Sequence, residues 1–279
     1  MRFGISTHLF HEARLDRAHL AAIAGAGFDA IELFATRSHF DYHYGAAISE
    51  LSSWLSETGL RLNSVHAPIT FRMGPGHAGE ALSNAATDNE ARQAAVREAG
   101  LALDLARRIP YDTLVVHLGQ PAGSSGPGDN SGGAAARSAE EICRMAAPLG
   151  VRVAFEVIPN ELSTPAALVR LLERDLEAPH AGICLDFGHA HLMGEVADAV
   201  EIAAEHLIAT HVHDNRGRSD DHLAPFLGTI DWDMALMSLQ KIGFEGTCLL
   251  ELAGAGSPAT VLAGAQQARH RFERTLAHP

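Results

Sequence analysis

Strand and helix signals alternate eight times along this chain, and that alternation most narrows the folds open to it. Short β-branched runs fall at residues 3–7, 29–34, 60–66, 113–117, 151–157, 182–186, 207–213 and 246–251. Between them lie stretches with apolar residues spaced about 3.6 apart. These cover 15–26, stopped by Gly27; 48–57, closed by Gly59; 90–108; and 134–147. Thr164-Pro165 opens a helix in the cap-then-proline order, and an Ala-rich helix separates the sixth and seventh strands. Asp231 caps a helix over 232–241 in which Trp232 reads as a core aromatic, and another Ala-rich helix finishes the chain. Eight βα units in 279 residues predict an α/β protein, a single (β/α)8 TIM barrel domain over 1–279. A doubly wound open sheet is the competing fold. It is disfavoured because no Gly-x-Gly-x-x-Gly turn follows the first strand and polar residues end strands all along the chain.

Those strand ends carry the chemistry. In order they are His8, Glu32, His66, His117, Glu156, Asp186, His211 with His213, and Glu251. A closed parallel barrel turns all its C-terminal strand ends to one mouth, so these oxygen and nitrogen donors can converge as a metal site. Glu156, Asp186, His211 and Glu251 end four consecutive staves. Three carboxylates held so close drive one another's pKa upward unless a cation sits between them. Three oxygen ligands and one imidazole suit Mn2+, Mg2+, Co2+ or Zn2+; one ion is expected, and the donors suffice for up to three. His189, in Asp186-Phe187-Gly188-His189, offers a further ligand or a hydrogen bond to a substrate oxygen. His66 and His117 face the same mouth and are evenly balanced between structural and functional roles. His211 and His213 fall on one side of a strand, and Asp220 and His222 can close a second metal centre. Arg216 and Arg218 beside them either grip a phosphate or sugar hydroxyl or are solvated loop residues. Glu32 reads as a carboxylate partner for an imidazole. The 70–89 loop and the low-complexity 119–133 loop, GQPAGSSGPGDNSGG, overhang the predicted mouth as lids or as flexible surface loops.

The balance of charge narrows the partners. With a formal charge of −13 and one lysine, Lys241, the surface repels a phosphate backbone, so nucleic acid is a poor partner and a small neutral or mildly anionic substrate a better one. No stretch nears the roughly eighteen apolar residues of a membrane span. Met1-Arg2-Phe3-Gly4-Ile5 enters a strand directly, without a secretory pattern. Cys143, Cys184 and Cys248 form no CxxC spacing, so reduced thiols and a cytoplasmic location are expected. A homo-oligomer is compatible with the sequence.

The segments AIELF, SVHAP, VVHLG, FEVIPN, CLDFGH, HVHDN, DDHL…LGTIDW and LLEL, in this order and spacing, resemble the xylose isomerase-like barrel superfamily over the full length. That superfamily groups sugar isomerases, sugar 3-epimerases, inosose dehydratases and endonuclease IV. For the epimerase branch the resemblance implies one divalent metal on Glu156, Asp186, His211 and Glu251, with His189 binding substrate. For the endonuclease branch it implies three zinc ions on those residues plus His66, His117, His189, Asp220 and His222, and this chain has a matching residue at all nine places. Against the endonuclease stand mouth loops with few arginines beyond Arg37, Arg72, Arg216 and Arg218, and the short HLAPFLGTIDW loop of the small-molecule branch. The DxH pair also occurs among members described as isomerases. The epimerases place an arginine six residues after the metal histidine, where this chain has Gly217 between Arg216 and Arg218. Together these features predict a divalent-metal-dependent isomerase or epimerase of a sugar, sugar phosphate or polyol, acting by proton transfer next to a carbonyl. Glu156 and Glu251 would serve as base and acid, with His189 and Arg216 holding oxygens. The alternatives are an endonuclease IV-like multi-zinc phosphodiesterase and a metal-stabilised barrel that binds sugar without turnover.

Overall fold

The structure, a computed structural model, describes residues 1–74, 77–253 and 256–277. Two positions of the 70–89 loop, 75 and 76, and the unassigned His278 lie outside the described residues. Eight strands make the barrel: β1 (Arg2–Ser6), β2 (Ala30–Phe34), β3 (Arg61–His66), β4 (Thr113–Val116), β5 (Arg152–Glu156), β6 (Ala181–Asp186), β7 (Leu207–Val212) and β8 (Thr247–Leu250). Each pairs in parallel with the next, and β1 pairs with β8 from Arg2↔Thr247 to Ile5↔Leu250, which closes the sheet. The open-sheet alternative would leave both of those strands as unpaired edges.

Residues two apart on a strand share a face, so the barrel interior and its outside read as alternating positions. Outward-facing Val153, Phe155, Ile183 and Leu185 belong to the main apolar core between sheet and helices. Inward, Ala154 lies one layer beneath Glu156, Cys184 beneath Asp186 and Val115 beneath His117, and these three form a separate small apolar cluster. Phe155 and Leu185 are fully buried, and each such side chain contributes about 1.5–3 kcal/mol on leaving water. A dry plug of small residues therefore supports the polar mouth.

The helices are α1 (Arg17–Gly25), α2 (Gly45–Thr58), α3 (Asn89–Leu103), α4 (Gly132–Ala146), α5 (Pro165–Arg170), α6 (Phe187–Met193), α7 (Val196–Ala203), α8 (Trp232–Lys241) and α9 (Pro258–Ala277). Helix α1 starts later than its apolar spacing suggests because Asp16 is its N-cap, in a capping box with His19. Thr164 and Asp231 cap α5 and α8 as expected, and Trp232 is buried. One helix was expected between β6 and β7; two are present, and the first, α6, is capped by Asp186 itself. Among the described residues no helix is long and apolar enough to cross a membrane.

The low-complexity loop is folded, against its reading as flexible. Asn130 accepts from the Gln120 amide and donates to its carbonyl, Ser83 donates to the Asp129 carbonyl, and the Thr87 amide donates to Gly128. Gly119 has φ +84°, and a Cβ there would stand 2.2 Å from Asn130 Oδ1, so this position requires glycine. The loop is thus a strap closed on itself by Asn130 and fastened to the segment before α3 and, through the Ala122 amide on the Pro159 carbonyl, to the chain after β5.

Candidate metal centre

Strand register delivers the donors. Glu156, Asp186 and His66 are the last residues of β5, β6 and β3; His117, His213 and Glu251 follow β4, β7 and β8 by one residue; His211 is one short of the end of β7. Glu156, Asp186, His211 and Glu251 are all buried, and each brings a ligand atom within 4.8 Å of the others. His211 Nδ1 lies 3.2 Å from Glu156 Oε1, 3.3 Å from Glu251 Oε2 and 4.0 Å from Asp186 Oδ2. Both His211 Nδ1 and Glu156 Oε1 are buried without a hydrogen-bond partner among the described residues. A bare imidazole nitrogen facing a carboxylate oxygen in a dry site needs a proton or a cation between them. The residues therefore fit a divalent ion.

The histidines are oriented as ligands commonly are, with the far ring nitrogen held and the near one turned toward carboxylate oxygens. His211 Nε2 donates to Glu32 Oε2 at 3.1 Å, and Ser64 Oγ donates to the same oxygen at 2.9 Å. His66 Nδ1 donates to the Ala67 carbonyl at 2.7 Å, which leaves Nε2 3.1 Å from Glu156 Oε2. His189 Nδ1 donates to the Val157 carbonyl, His222 Nδ1 to the Glu251 carbonyl, and the Nε2 of each lies 3.1 Å from Asp220 Oδ2. Among the described residues the mouth donors divide into four groups: the inner four; His66, His117 and Glu156; His66, His211 and Glu251; and an outer set of His189, His213, Asp220 and His222.

The charges agree with this arrangement. Burial opposes ionisation of Glu156, but His211 and His117 hold its pKa well below the ordinary carboxylate value. Asp186 is lowered in the same way against burial by His189 and His213. Burial works against a charged His66, yet Glu156 pushes it up to about 9; His222 reaches about 9 against burial through Asp220. In the ion-free protein, protons stand where a cation can replace them.

Asp214, a residue given no role from sequence, holds the loop that carries Asp220 and His222. Buried Asp214 accepts from the backbone amides of Asn215, Phe226, Gly228 and Ile230 and from Trp232 Nε1. Asp214 and Leu223 also exchange backbone hydrogen bonds, folding the intervening segment back over the mouth. A Cβ at position 228 would sit 2.2 Å from Asp214 Oδ1, so glycine is required there. His8 was counted among the strand-end donors but given no specific role. It lines the mouth, with its ring 5.2 Å from His222 and 4.7 Å from Phe34. Its place at the end of the first β run was the available signal.

The mouth cavity measures about 200 Å3 and is walled by His8, His66, His117, Glu156, His189, Asp220, His222 and Glu251. Gln120, Pro121 and Ser124 of the strap also line it. Arg216 lies outside this wall: its side chain is 62% exposed, and its guanidinium is 4.0 Å from Asp221.

Known proteins agree on the architecture. The xylose isomerase-like TIM barrel family matches residues 20–274. A protein of Methanocaldococcus jannaschii with no characterised activity is 27% identical over 259 residues, 90% of this chain and 83% of its own. The crystal structure of a D-tagatose 3-epimerase-like protein superposes with a TM-score of 0.81 at 24% identity, over 99% of this chain and 97% of that one. The IOLI protein, solved with a bound zinc atom, gives a TM-score of 0.76 at 16% identity, over 98% of each chain. Identities this low speak to the fold alone. With eight parallel strands closed on themselves and a family match spanning nearly the whole length, the chain belongs to the xylose isomerase-like TIM barrel family.

Proposed function

We propose that this protein is a sugar or polyol isomerase or epimerase that moves a proton at the carbon next to a carbonyl. Glu156, Asp186, His211 and Glu251 would hold a divalent cation. The observation that carries the reading is the pair of unpartnered buried atoms, His211 Nδ1 and Glu156 Oε1, 3.2 Å apart among two further carboxylates. When bound there, Mn2+, Mg2+, Co2+ or Zn2+ supplies Lewis-acid polarisation of the carbonyl.

The remaining work falls to the chain. Glu156 at the end of β5 and Glu251 after β8 reach the cavity from different staves, so one can take a proton that the other returns. His66 and His117, each with Nε2 3.1 Å from Glu156 Oε2, keep that carboxylate ionised and oriented. His189, fixed by the Val157 carbonyl, presents Nε2 toward substrate oxygens and Asp220. Gln120, Pro121 and Ser124 of the strap limit water access. The cavity, about 200 Å3, is below the roughly 300–1,000 Å3 of drug-sized pockets and suits a small polyol. The sugar epimerases and the inosose isomerase among similar proteins support the same substrate class.

Incubating the metal-loaded protein with ketohexoses and inososes in D2O should incorporate deuterium next to the carbonyl. Absence of exchange with every keto-polyol would overturn the reading. The spread of donors over more than one potential ion site favours a second reading, a multi-zinc phosphodiesterase. Three zinc ions per chain in the purified protein and cleavage of an abasic duplex would select it, although the charge of −13 opposes it.

A further inference from the structure

The outer group of His189, His213, Asp220 and His222 has the makings of a four-ligand cation site, but ring geometry separates His213 from the other three. An ion bound to an imidazole nitrogen lies near the plane of that ring. The His213 and His222 rings stack with centroids 4.0 Å apart and planes 15° from parallel, so one ion cannot lie in both planes. His189 stands at 90° to His222, and both present Nε2 to the same Asp220 oxygen, which is compatible with one ion.

His213 also differs in its hydrogen bonding. His66, His189, His211 and His222 each have the far nitrogen anchored, whereas His213 Nδ1 is buried without a partner among the described residues. Its Nε2 is spent on Asp186, 2.9 Å from Oδ1 and 3.0 Å from Oδ2. The His189 amide donates to Asp186 Oδ1 at 2.7 Å, so the carboxylate is held from one side by a ring and a helix start. Position 188 is built for this ring, since a Cβ there would stand 1.9 Å from His213 Cε1.

We propose that His213 is a positioning residue for the inner cation site: it clamps the Asp186 carboxylate with a hydrogen bond from Nε2, is itself held by stacking on His222, and ligates no ion. The inference rests on the cation reading of Glu156, Asp186, His211 and Glu251. Carboxylate ligands lose affinity when their own hydrogen-bond partners are removed, by about 10- to 100-fold.

The test titrates the metal-free full-length protein with Co2+ against a competing chelator, reading visible absorption and the number of ions bound at saturation. His213→Leu removes the donor; His213→Gln keeps an amide N–H at the distance of Nε2. The leucine variant should bind its tightest ion about 10- to 100-fold more weakly, with the saturating count and the ligand-field spectrum of the outer ion unchanged. The glutamine variant should recover most of that loss. A saturating count lowered by one ion, with the affinity for the others intact, would identify His213 as a ligand and overturn the clamp. Wild-type affinity in a folded leucine variant would also overturn it, leaving the cation site standing. Wild-type protein that binds no Co2+ would remove the cation reading itself, and the clamp with it.

Discussion

Two cavities at opposite ends of the barrel wall carry opposite lessons. The larger, about 520 Å3, lies beside the starts of β5 and β6 among Cys143, Val151, Val153, Leu176 and Ala181. The smaller, about 200 Å3, is the mouth. Charged residues around the larger cavity, such as Glu140, Arg144, Arg174 and Glu177, are exposed, and Arg144 pairs with Glu140 on its own helix. The thiol of Cys143 is pushed up to about 12 by burial, so it stays protonated and unreactive near neutrality. At the mouth, buried carboxylates and imidazoles from different strands meet. Convergence of titratable groups, rather than volume, separates a place for chemistry from a gap between helices.

The largest effect expected is on turnover. Glu156→Gln keeps the shape of the side chain but removes the charge that His66, His117 and His211 surround. Deuterium exchange with a substrate found in the D2O assay should fall by about 10²- to 10⁴-fold, the range for loss of a positioned acid or base. A variant that stays within tenfold of wild type would erase the distinction between the two cavities. Next in size is Asp214→Ala, which strands the five donors converging on that carboxylate. With each stranded buried donor costing about 1–3 kcal/mol before relaxation, a net loss of at least about 3 kcal/mol is expected. Calorimetry would measure the lower Tm, and metal analysis the loss of an ion from the set holding Asp220 and His222. Unchanged stability would show that the loop keeps its course without this hub.

Much of this was legible in the sequence, because barrel closure converts order along the chain into position around a mouth. Glu156, Asp186, His211 and Glu251 could be brought together on paper by counting strands. What sequence could not supply is which atom of each side chain faces inward. That depends on carbonyls such as those of Ala67 and Val157 arriving beside one ring nitrogen. The Asp186-Phe187-Gly188-His189 run gave no helix signal, since α6 spans only seven residues and its periodicity is too short to read. Asp214 was hidden for another reason: its donors extend to Trp232, and no local pattern reveals that they converge. The 119–133 strap misled because glycine and serine content speaks to local freedom, while its order comes from Asn130 within it and from Ser83 and Asn160, side chains distant along the chain.

A third test sharpens the contrast within the mouth face. His66, surrounded by carboxylates, is raised to about 9, whereas buried His39, after β2, is lowered to about 4, chiefly by burial, with His19 and His11 adding to it. In the unfolded chain His39 takes up a proton below its ordinary 6.5, while the folded protein resists until about 4. Its contribution to stability is therefore complete above pH 6.5 and is lost as pH falls toward 4, amounting to about 3 kcal/mol at most. His39→Asn keeps a donor for the Ala13 carbonyl and removes the titration. The fall in Tm between pH 7 and pH 4.5 should be smaller in the variant than in wild type. An equal fall in both would show that His39 does not drive the acid sensitivity.

The smallest effect should come from the larger cavity. Cys143→Ala removes a half-buried sulfur from its wall, far from every residue placed at the mouth. Stability should change by about 1 kcal/mol or less, as for truncations that are not fully buried. Metal content and deuterium exchange should match wild type, because no donor of the inner or outer group touches this cavity wall. Changing Arg174 to alanine in the same protein removes an exposed cation at the rim and should add nothing measurable. If either substitution altered exchange severalfold while the fold and the metal count held, the cavity beside β5 and β6 would be coupled to the mouth through those strands. Its volume would then have a function that the arrangement of charges does not reveal.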